Sequence, residues 1–313
     1  MTLRIATFNV KDFFVPRSEA ERSVAPQKFA NLASNLRRAN ADVVALQEVG
    51  EPELLARFVD SLADLGYSAT VVGPEDKRGI RCALVSRLPV LASHIHTREA
   101  LPFPVFIEGD AEPFGARIPL RRGVVHVRVK CTDVAGGEVD VITAHLKSNR
   151  PAWMRSRDGR DLRTDTARGR GEAVVRSLVQ RAAEALFVRG VVDDRLRSAP
   201  ERAVCLLGDF NDHPDSLTLR ILRGEGHAPP GAVLTQSDLL FACAERVPAE
   251  NRYSCIHGDR KTLIDHVLVS KSLFSQLQTF EIYNEDLRYH GAYADAVVPT
   301  EDSDHALCVA SFA

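Results

Sequence analysis

At 313 residues, 45% of them apolar, the chain is long enough for one large domain or two ordinary ones and has the composition of a soluble globular protein with a substantial core. Forty basic residues against 42 acidic ones leave a formal charge of −2, so overall charge offers no argument for a nucleic-acid partner and only a local basic face could supply one. No apolar run approaches the ~20 residues that a bilayer span requires.

The opening LRIATFNV is a β-rich stretch that ends in Asn9 and lacks the long apolar core of a secretion signal. Pro26 suits the first turn of a helix, and Phe29, Leu32, Ala33, Leu36 and Ala39 then recur at helical spacing. DVVALQEV (42–49) reads as a buried strand whose end carries Gln47 and Glu48. Leu54, Leu55, Phe58, Val59, Leu62 and Leu65 outline a second amphipathic helix. Strands are predicted at 68–73, 80–86, 124–131 and 138–145, with Gly136-Gly137 a hairpin signal between the last two. Residues 146–171 are the least regular stretch and precede a long helix predicted from Glu172 to Phe187. A strand at 203–210, a short helix after Pro214, strands near 252–256 and 263–270, and a closing strand at 306–313 complete the chain.

The six cysteines (82, 131, 205, 243, 255, 308) form no CxxC pair and no metal-ligand spacing. Cys82, Cys205 and Cys308 sit in apolar strand-like runs and read as small buried side chains, which suits a reducing cytoplasm. With no repeat and no Gly/Ser- or Pro-rich linker, the expectation is a single domain over residues 1–313, monomeric and cytoplasmic. Strands in runs with helices at irregular intervals favour mixed, largely antiparallel sheets.

Polar residues recur where these strands end. In LLGDFNDHPDS (206–216) an apolar run reaches Gly208 and then delivers Asp209, Asn211 and Asp212 within four positions. Asn9, Glu48, His145, Asp265 with His266, and Asp304 with His305 are placed similarly. Each alone has a plain explanation as a turn residue or an ordinary hydrogen-bonded histidine. Asp265 is harder to dismiss, because it interrupts an otherwise apolar strand and a buried carboxylate must be paired, hydrogen-bonded or metal-bound. Hard oxygen donors of this kind suit Mg²⁺, and a histidine beside a carboxylate is oriented and charged by it. The chemistry this suggests is metal-assisted attack of water on phosphorus, against the alternative of a set of solvated turns.

ATFNV, ALQEV, TAHLKS, GDFND, LIDHVLVS and SDHALCV occur in this order. The series resembles the endonuclease/exonuclease/phosphatase superfamily, which includes DNase I-like and exonuclease III-like nucleases, sphingomyelinases and inositol polyphosphate phosphatases. It spans residues 4–313 and looks most like the bacterial extracellular-type nuclease branch. The resemblance implies a four-layer α/β/β/α sandwich of two mixed sheets with the site at one end. It implies that Glu48, with Asn9 and Asp304, holds Mg²⁺ (or Mn²⁺), and that Asp209 and Asn211 position the attacking water and a phosphate oxygen. His305 corresponds to the catalytic histidine, Asp265 to its carboxylate partner, and His145 to a histidine of the DNase-like and phosphatase members. Abasic-site endonucleases carry an acidic residue where this chain has Lys11, with Asp12 one place on, so a second metal is not implied.

The expected reaction is direct hydrolysis in which Asp209 activates water while His305 and His145 stabilise the developing charge. A competing assignment makes His305–Asp265 the base and Asp209 a ligand. After HLKS, whose Lys147 is a candidate phosphate contact, eight arginines from Arg150 to Arg176 face four acidic residues. Arg155, Arg157 and Arg160 are the candidate contacts to a polymeric, nucleic-acid phosphate backbone; the alternative is a solvated, self-paired loop. Trp153, the only tryptophan, lies in this loop. A nuclease is favoured, with a phosphomonoesterase or a lipid-head-group phosphodiesterase as alternative, and a catalytically silent binding protein as the reading from another class.

Overall fold

The computed structural model describes residues 2–114, 117–134, 136–226, 235–288 and 299–313. In chain order the elements are β1 (Leu3–Phe13), α1 (Glu19–Ala39), β2 (Val43–Val49), α2 (Pro52–Asp60), β3 (Ala69–Val72), β4 (Arg81–Ser86), β5 (Val90–His96), β6 (Val124–Lys130) and β7 (Glu138–Thr143). There follow β8 (Met154–Arg155), β9 (Asp161–Leu162), α3 (Ala167–Ser198), β10 (Ala203–Asp209), α4 (Leu217–Arg223), β11 (Leu240–Ala242), β12 (Cys255–His257) and β13 (Arg260–Thr262). The last are β14 (Asp265–Ser270), α5 (Lys271–Phe274), β15 (Leu277–Tyr283) and β16 (Leu307–Phe312).

Two six-stranded sheets result, ordered β15-β16-β1-β2-β4-β3 and β11-β14-β10-β7-β6-β5. Each carries one parallel pair, β1 with β2 and β7 with β10, among antiparallel neighbours. Strand alternation divides the side chains between the layers. Ile5, Val43, Ala45, Val125, Val141, Cys205, Leu207, Val267 and Cys308 meet between the sheets. Their alternates Phe8, Val44 and Leu46 pack under α1 and α2 with Leu32, Leu36 and Phe58. Ile142, Leu206 and Leu268 pack under α3 and α4 with Val188, Val192 and Leu219. This is the expected four-layer α/β/β/α sandwich. All six cysteines are free and buried, and no described helix is long and apolar enough to cross a membrane.

Three sequence expectations are corrected. Pro26 lies inside α1, because Ser18 caps the helix and Glu21 closes a capping box. The second helix stops at Asp60 and continues only as a short 3₁₀ turn at Ala63–Leu65, ended by Gly66 at φ 73°. The long helix α3 runs from Ala167, capped by Thr166, to Ser198, well beyond both predicted ends. Strands β5 and β15 were not predicted.

Candidate active site

The site lies where the apolar filling between the sheets gives out. Inward positions of β1 read Ile5, Thr7, Asn9; those of β2 read Val43, Ala45, Gln47; those of β10 read Cys205, Leu207, Asp209. One row below the rim, Thr7 Oγ1 donates to Gln47 Oε1 (3.2 Å), and Gln47 Nε2 donates to Thr143 Oγ1 of the opposite sheet (3.1 Å). This buried polar rung joins the sheets. Above it, the same alternation brings Asn9, His145, Asp209 and Asp265 onto one rim, and the strand register sets Asp209 opposite Asp265.

Irregular backbone aims the remaining groups. Register shifts fall between Asn9 and Phe13 on β1 and between Leu46 and Val49 on β2. Lys11, Asp12, Glu48 and Asn211 all hold positive φ, between 44° and 60°. Such conformations are costly for side-chain-bearing residues and cluster at functional sites. At Gly208, φ is +144° and an added Cβ would lie 2.0 Å from the Ala144 carbonyl oxygen. Only glycine fits the bend that delivers Asp209.

Asp209 is 2% exposed. Its Oδ1 accepts from the Asn211 N–H (2.9 Å) and its Oδ2 from Asn9 Nδ2 (3.0 Å). His145 Nε2 stands 3.4 Å and His305 Nε2 4.0 Å from the same Oδ2. Burial, then the charge of Asp265, pushes the Asp209 carboxyl up to about 7 despite His305 and Asn9. His305 Nδ1 lies 2.8 Å from Asp265 Oδ2, which also accepts from Ser254 Oγ (2.7 Å). Burial alone would discharge His305; Asp265, with Asp209 and Asp304, outweighs it and holds the imidazole well above its ordinary range. His145 goes the other way, far down, through burial and then the nearby Arg122. The site therefore holds one charged and one neutral imidazole around a carboxylate poised near neutrality.

Glu48 stands beside this group, partly exposed, with Oε2 accepting from the Asp12 N–H (3.0 Å). Burial, then Glu48, raises the Asp12 carboxyl, which pairs with Arg78 (3.0 Å). Asp304 pairs with Lys11 at 2.7 Å. Lys28, 9% exposed, donates to the Lys11 carbonyl.

Several expected residues take other places. Both ends of the Asn9 carboxamide are engaged within the protein, Oδ1 by the Lys11 N–H and Nδ2 by Asp209, so it steadies Asp209 rather than standing free. Asn211 Nδ2 donates to the Leu146 carbonyl (3.1 Å). Lys147 is 7% exposed and turned inward, its ammonium spent on the Ser148 and Arg150 carbonyls (2.7 and 2.8 Å). Asp212 belongs to a buried structural pair with Arg181 (3.0 Å), and His266 stacks on Phe210. In the arginine segment, Arg155 pairs with Asp161, Arg160 with Asp158, and Glu172 gathers Arg163, Arg168 and Arg176. Arg157 is exposed.

Sequence reasoning missed Ser254, which accepts the Ile264 and Asp265 N–H groups while donating to the Asp265 carboxylate. It also missed Ser303, which donates to the Asn9 carbonyl (2.6 Å) and accepts from the His305 N–H (3.0 Å). Ser303 adjoins Asp304 but such a serine is too common to read, and Ser254 lies 11 residues before Asp265 with no signal linking the two.

Oxygen donors of Glu48 and Asp304 beside a partly open face fit a hard divalent cation. Among the described residues only Glu48 Oε2 is hydrogen-bonded, leaving Oε1 available. Asp209, Asp265 and His305 are the one group among the described residues whose ligand atoms all lie within 4.8 Å of one another. A cation bound to His305 Nε2 would require the imidazole to give up its second proton against the charge that Asp265 holds on it, so this trio is better understood as an acid–base network.

A sequence profile of the Endonuclease/Exonuclease/phosphatase family matches residues 6–305. No curated protein matches significantly. Solved structures share the fold: truncated Caenorhabditis elegans TDP2 (16% identity, 99% of this chain and 97% of that one, TM-score 0.58) is similar throughout. So are the Bacteroides thetaiotaomicron mannosyl-6-phosphatase (15%, 98% of each chain, TM-score 0.59) and the human Nocturnin catalytic domain with bound sulfate (15%, 100% and 94%, TM-score 0.57).

Proposed function

The chain belongs to the endonuclease/exonuclease/phosphatase family, and on that premise we propose that it is a metal-dependent phosphodiester hydrolase, acting on DNA by direct attack of water. The observation that carries this reading is the rim network itself: a buried Asp209 held near neutrality, facing a charged His305 that Asp265 anchors. A general base works best with a pKa near the working pH, and Asp209 meets that condition. His305, already protonated, suits donation to the developing charge on phosphorus rather than proton abstraction, which favours Asp209 over His305 as base. Asn9 and the Asn211 N–H fix both carboxylate oxygens, so the carboxylate need not reorganise as the reaction proceeds. His145, kept neutral, offers a further ring nitrogen to the phosphate.

Glu48 and Asp304 would hold Mg²⁺ or Mn²⁺, which neutralises phosphate charge and polarises the phosphorus–oxygen bonds. Lys11 on Asp304, with Lys28 beside it, leaves too little negative charge nearby for a second cation. EDTA is expected to abolish hydrolysis of bis(p-nitrophenyl) phosphate and DNA, with Mg²⁺ or Mn²⁺ restoring it. Glu48→Gln should weaken Mg²⁺ binding in calorimetry by about tenfold or more while leaving the melting temperature close to wild type. Full turnover in chelator, or an unchanged Mg²⁺ affinity in the variant, rejects the metal assignment.

A second reading, hydrolysis of a small phosphoester, is favoured by the self-pairing of the arginine segment and by the inward-turned Lys147. Salt dependence separates the two. Each phosphate contact outside the scissile group releases counterions, so affinity for DNA should fall steeply with salt. Neutralising Arg155, Arg157 and Arg160 together should flatten that slope and leave bis(p-nitrophenyl) phosphate turnover unchanged. A slope that is shallow from the start, or indifferent to the triple variant, supports the small substrate.

A further inference from the structure

Three histidines gather far along the second sheet, on its helix-covered face. His94 of β5, an edge strand, pairs in register with His126 of β6, and His96 shares their face two residues on. Ring centres are 5.7 Å apart for His94–His126, 5.7 Å for His96–His126 and 6.3 Å for His94–His96. His126 is 1% exposed, and its Nε2 lies 2.7 Å from Asp140 Oδ1. That leaves His126 Nδ1 buried with no hydrogen-bond partner among the described residues, and His96 Nε2 is in the same condition. Two unpartnered ring nitrogens in one cluster carry a desolvation cost with nothing visible to offset it.

We propose that His94, His96 and His126 form a second metal site, separate from the rim, for a borderline divalent transition-metal ion of the Zn²⁺ or Co²⁺ kind. Imidazole nitrogens select such ions over Mg²⁺, which prefers oxygen. A His-x-His pair on one strand with a third histidine from the next strand presents three nitrogens on one side, and three-histidine sites leave a fourth position for water or a ligand. Asp140 stands behind His126 as an outer carboxylate that fixes its ring orientation and raises its basicity. Two features work against binding: Arg195 lies near His96, with Asp194 as partial counter-charge, and Asp140 also serves Arg128 and Arg202 at 3.2 Å each.

Three imidazoles bound at about 2.0–2.1 Å to one ion place their ring centres roughly 5 Å apart. The cluster is wider than that, the His96–His126 pair included, and its three ligand atoms do not all lie within 4.8 Å of one another, so binding draws in both the exposed His94 and the half-buried His96 by side-chain rotation. The ion then ties edge strand β5 to β6.

The test is titration of the metal-stripped full chain with Co²⁺, followed by visible absorption. One equivalent should bind with the strong bands of tetrahedral cobalt, and Zn²⁺ should displace it. His94→Ala/His96→Ala, at exposed and half-buried edge positions, should lose the bands and weaken binding by more than about 100-fold, while phosphoesterase activity is unchanged. His305→Ala should keep the bands. Zn²⁺ should raise the melting temperature of the wild type and not of the double variant. Absence of any site tighter than about 10 μM, bands that survive the double variant, or bands lost in His305→Ala would each overturn the proposal.

Discussion

Asp209→Asn is expected to lower kcat by roughly 10²–10⁴-fold and yet to raise the melting temperature at alkaline pH. The two effects share one cause. The folded protein raises the carboxyl from 3.8 to about 7, so it holds the proton more tightly than the unfolded chain does. That contribution to stability is complete below pH 3.8 and is lost as pH rises through about 7. At 1.36 kcal/mol per unit the ionised carboxylate costs up to roughly 4 kcal/mol at pH 8. Asparagine escapes this, but its amide faces donors from both Asn9 and Asn211 and forfeits about 1–2 kcal/mol. A net gain of about 2–3 kcal/mol remains at pH 8. In EDTA the variant should melt slightly below wild type near pH 4, cross it as pH rises, separate to about pH 7 and then run parallel above it. Equal melting temperatures at pH 8.5, or a kcat within tenfold of wild type, would remove Asp209 from its proposed role.

The largest effect beside this one concerns His305. His305→Ala should lower kcat by roughly 10²-fold or more. Asp265→Asn should lower it less at acid pH and move the alkaline limb of the pH–rate profile toward neutrality, because the charge holding the imidazolium is gone. The raised pKa of His305 gives stability that is full below pH 6.5 and fades as pH passes the raised value, and Asp265→Asn forfeits it across that window. Breaking the buried pair should cost about 3 kcal/mol, visible in melts at pH 6 and fading as pH passes the raised value. An alkaline limb that stays in place in Asp265→Asn would show that Asp265 does not set the charge of His305.

The rim was legible because strand alternation is strict. Once Ile5, Cys205 and Val267 face inward, Asn9, Asp209 and Asp265 must follow at even spacing, and the sequence shows those polar residues in apolar runs. The opposition of Asp209 to Asp265 was not legible, since register is set by neighbouring strands. The structural role of Asp212, delivered by the same strand end as Asp209 and Asn211, was not legible because its partner, Arg181, lies 31 residues earlier on α3. Pro26 looked like a helix start because its preferred position outweighed a true signal, Ser18 with Glu21, that lies before the apolar repeat. β5 escaped notice because, as an edge strand with Leu91 and Ile95 exposed, it shows no alternation of apolar and polar faces. The arginine segment showed its charge in sequence but not its pairing, which depends on the β8–β9 hairpin and on Glu172 standing at the start of α3.

β1 is hydrogen-bonded between β2 and β16, with Leu3 opposite Phe312, and His305 enters just before β16. A ribosome working at 5–20 residues per second makes Asn9 roughly 15–60 s before His305. Throughout that interval one side of β1 has no partner strand, a delay that exposes a hydrophobic edge to other chains. Once Asp209 has been made, the half-made protein holds Asp209, Glu48 and Asn9 without the imidazole that completes them. The rim is thus the last part of the molecule to be assembled, closed only when β16 docks beside β1 and brings His305 to Asp265 and Asp209.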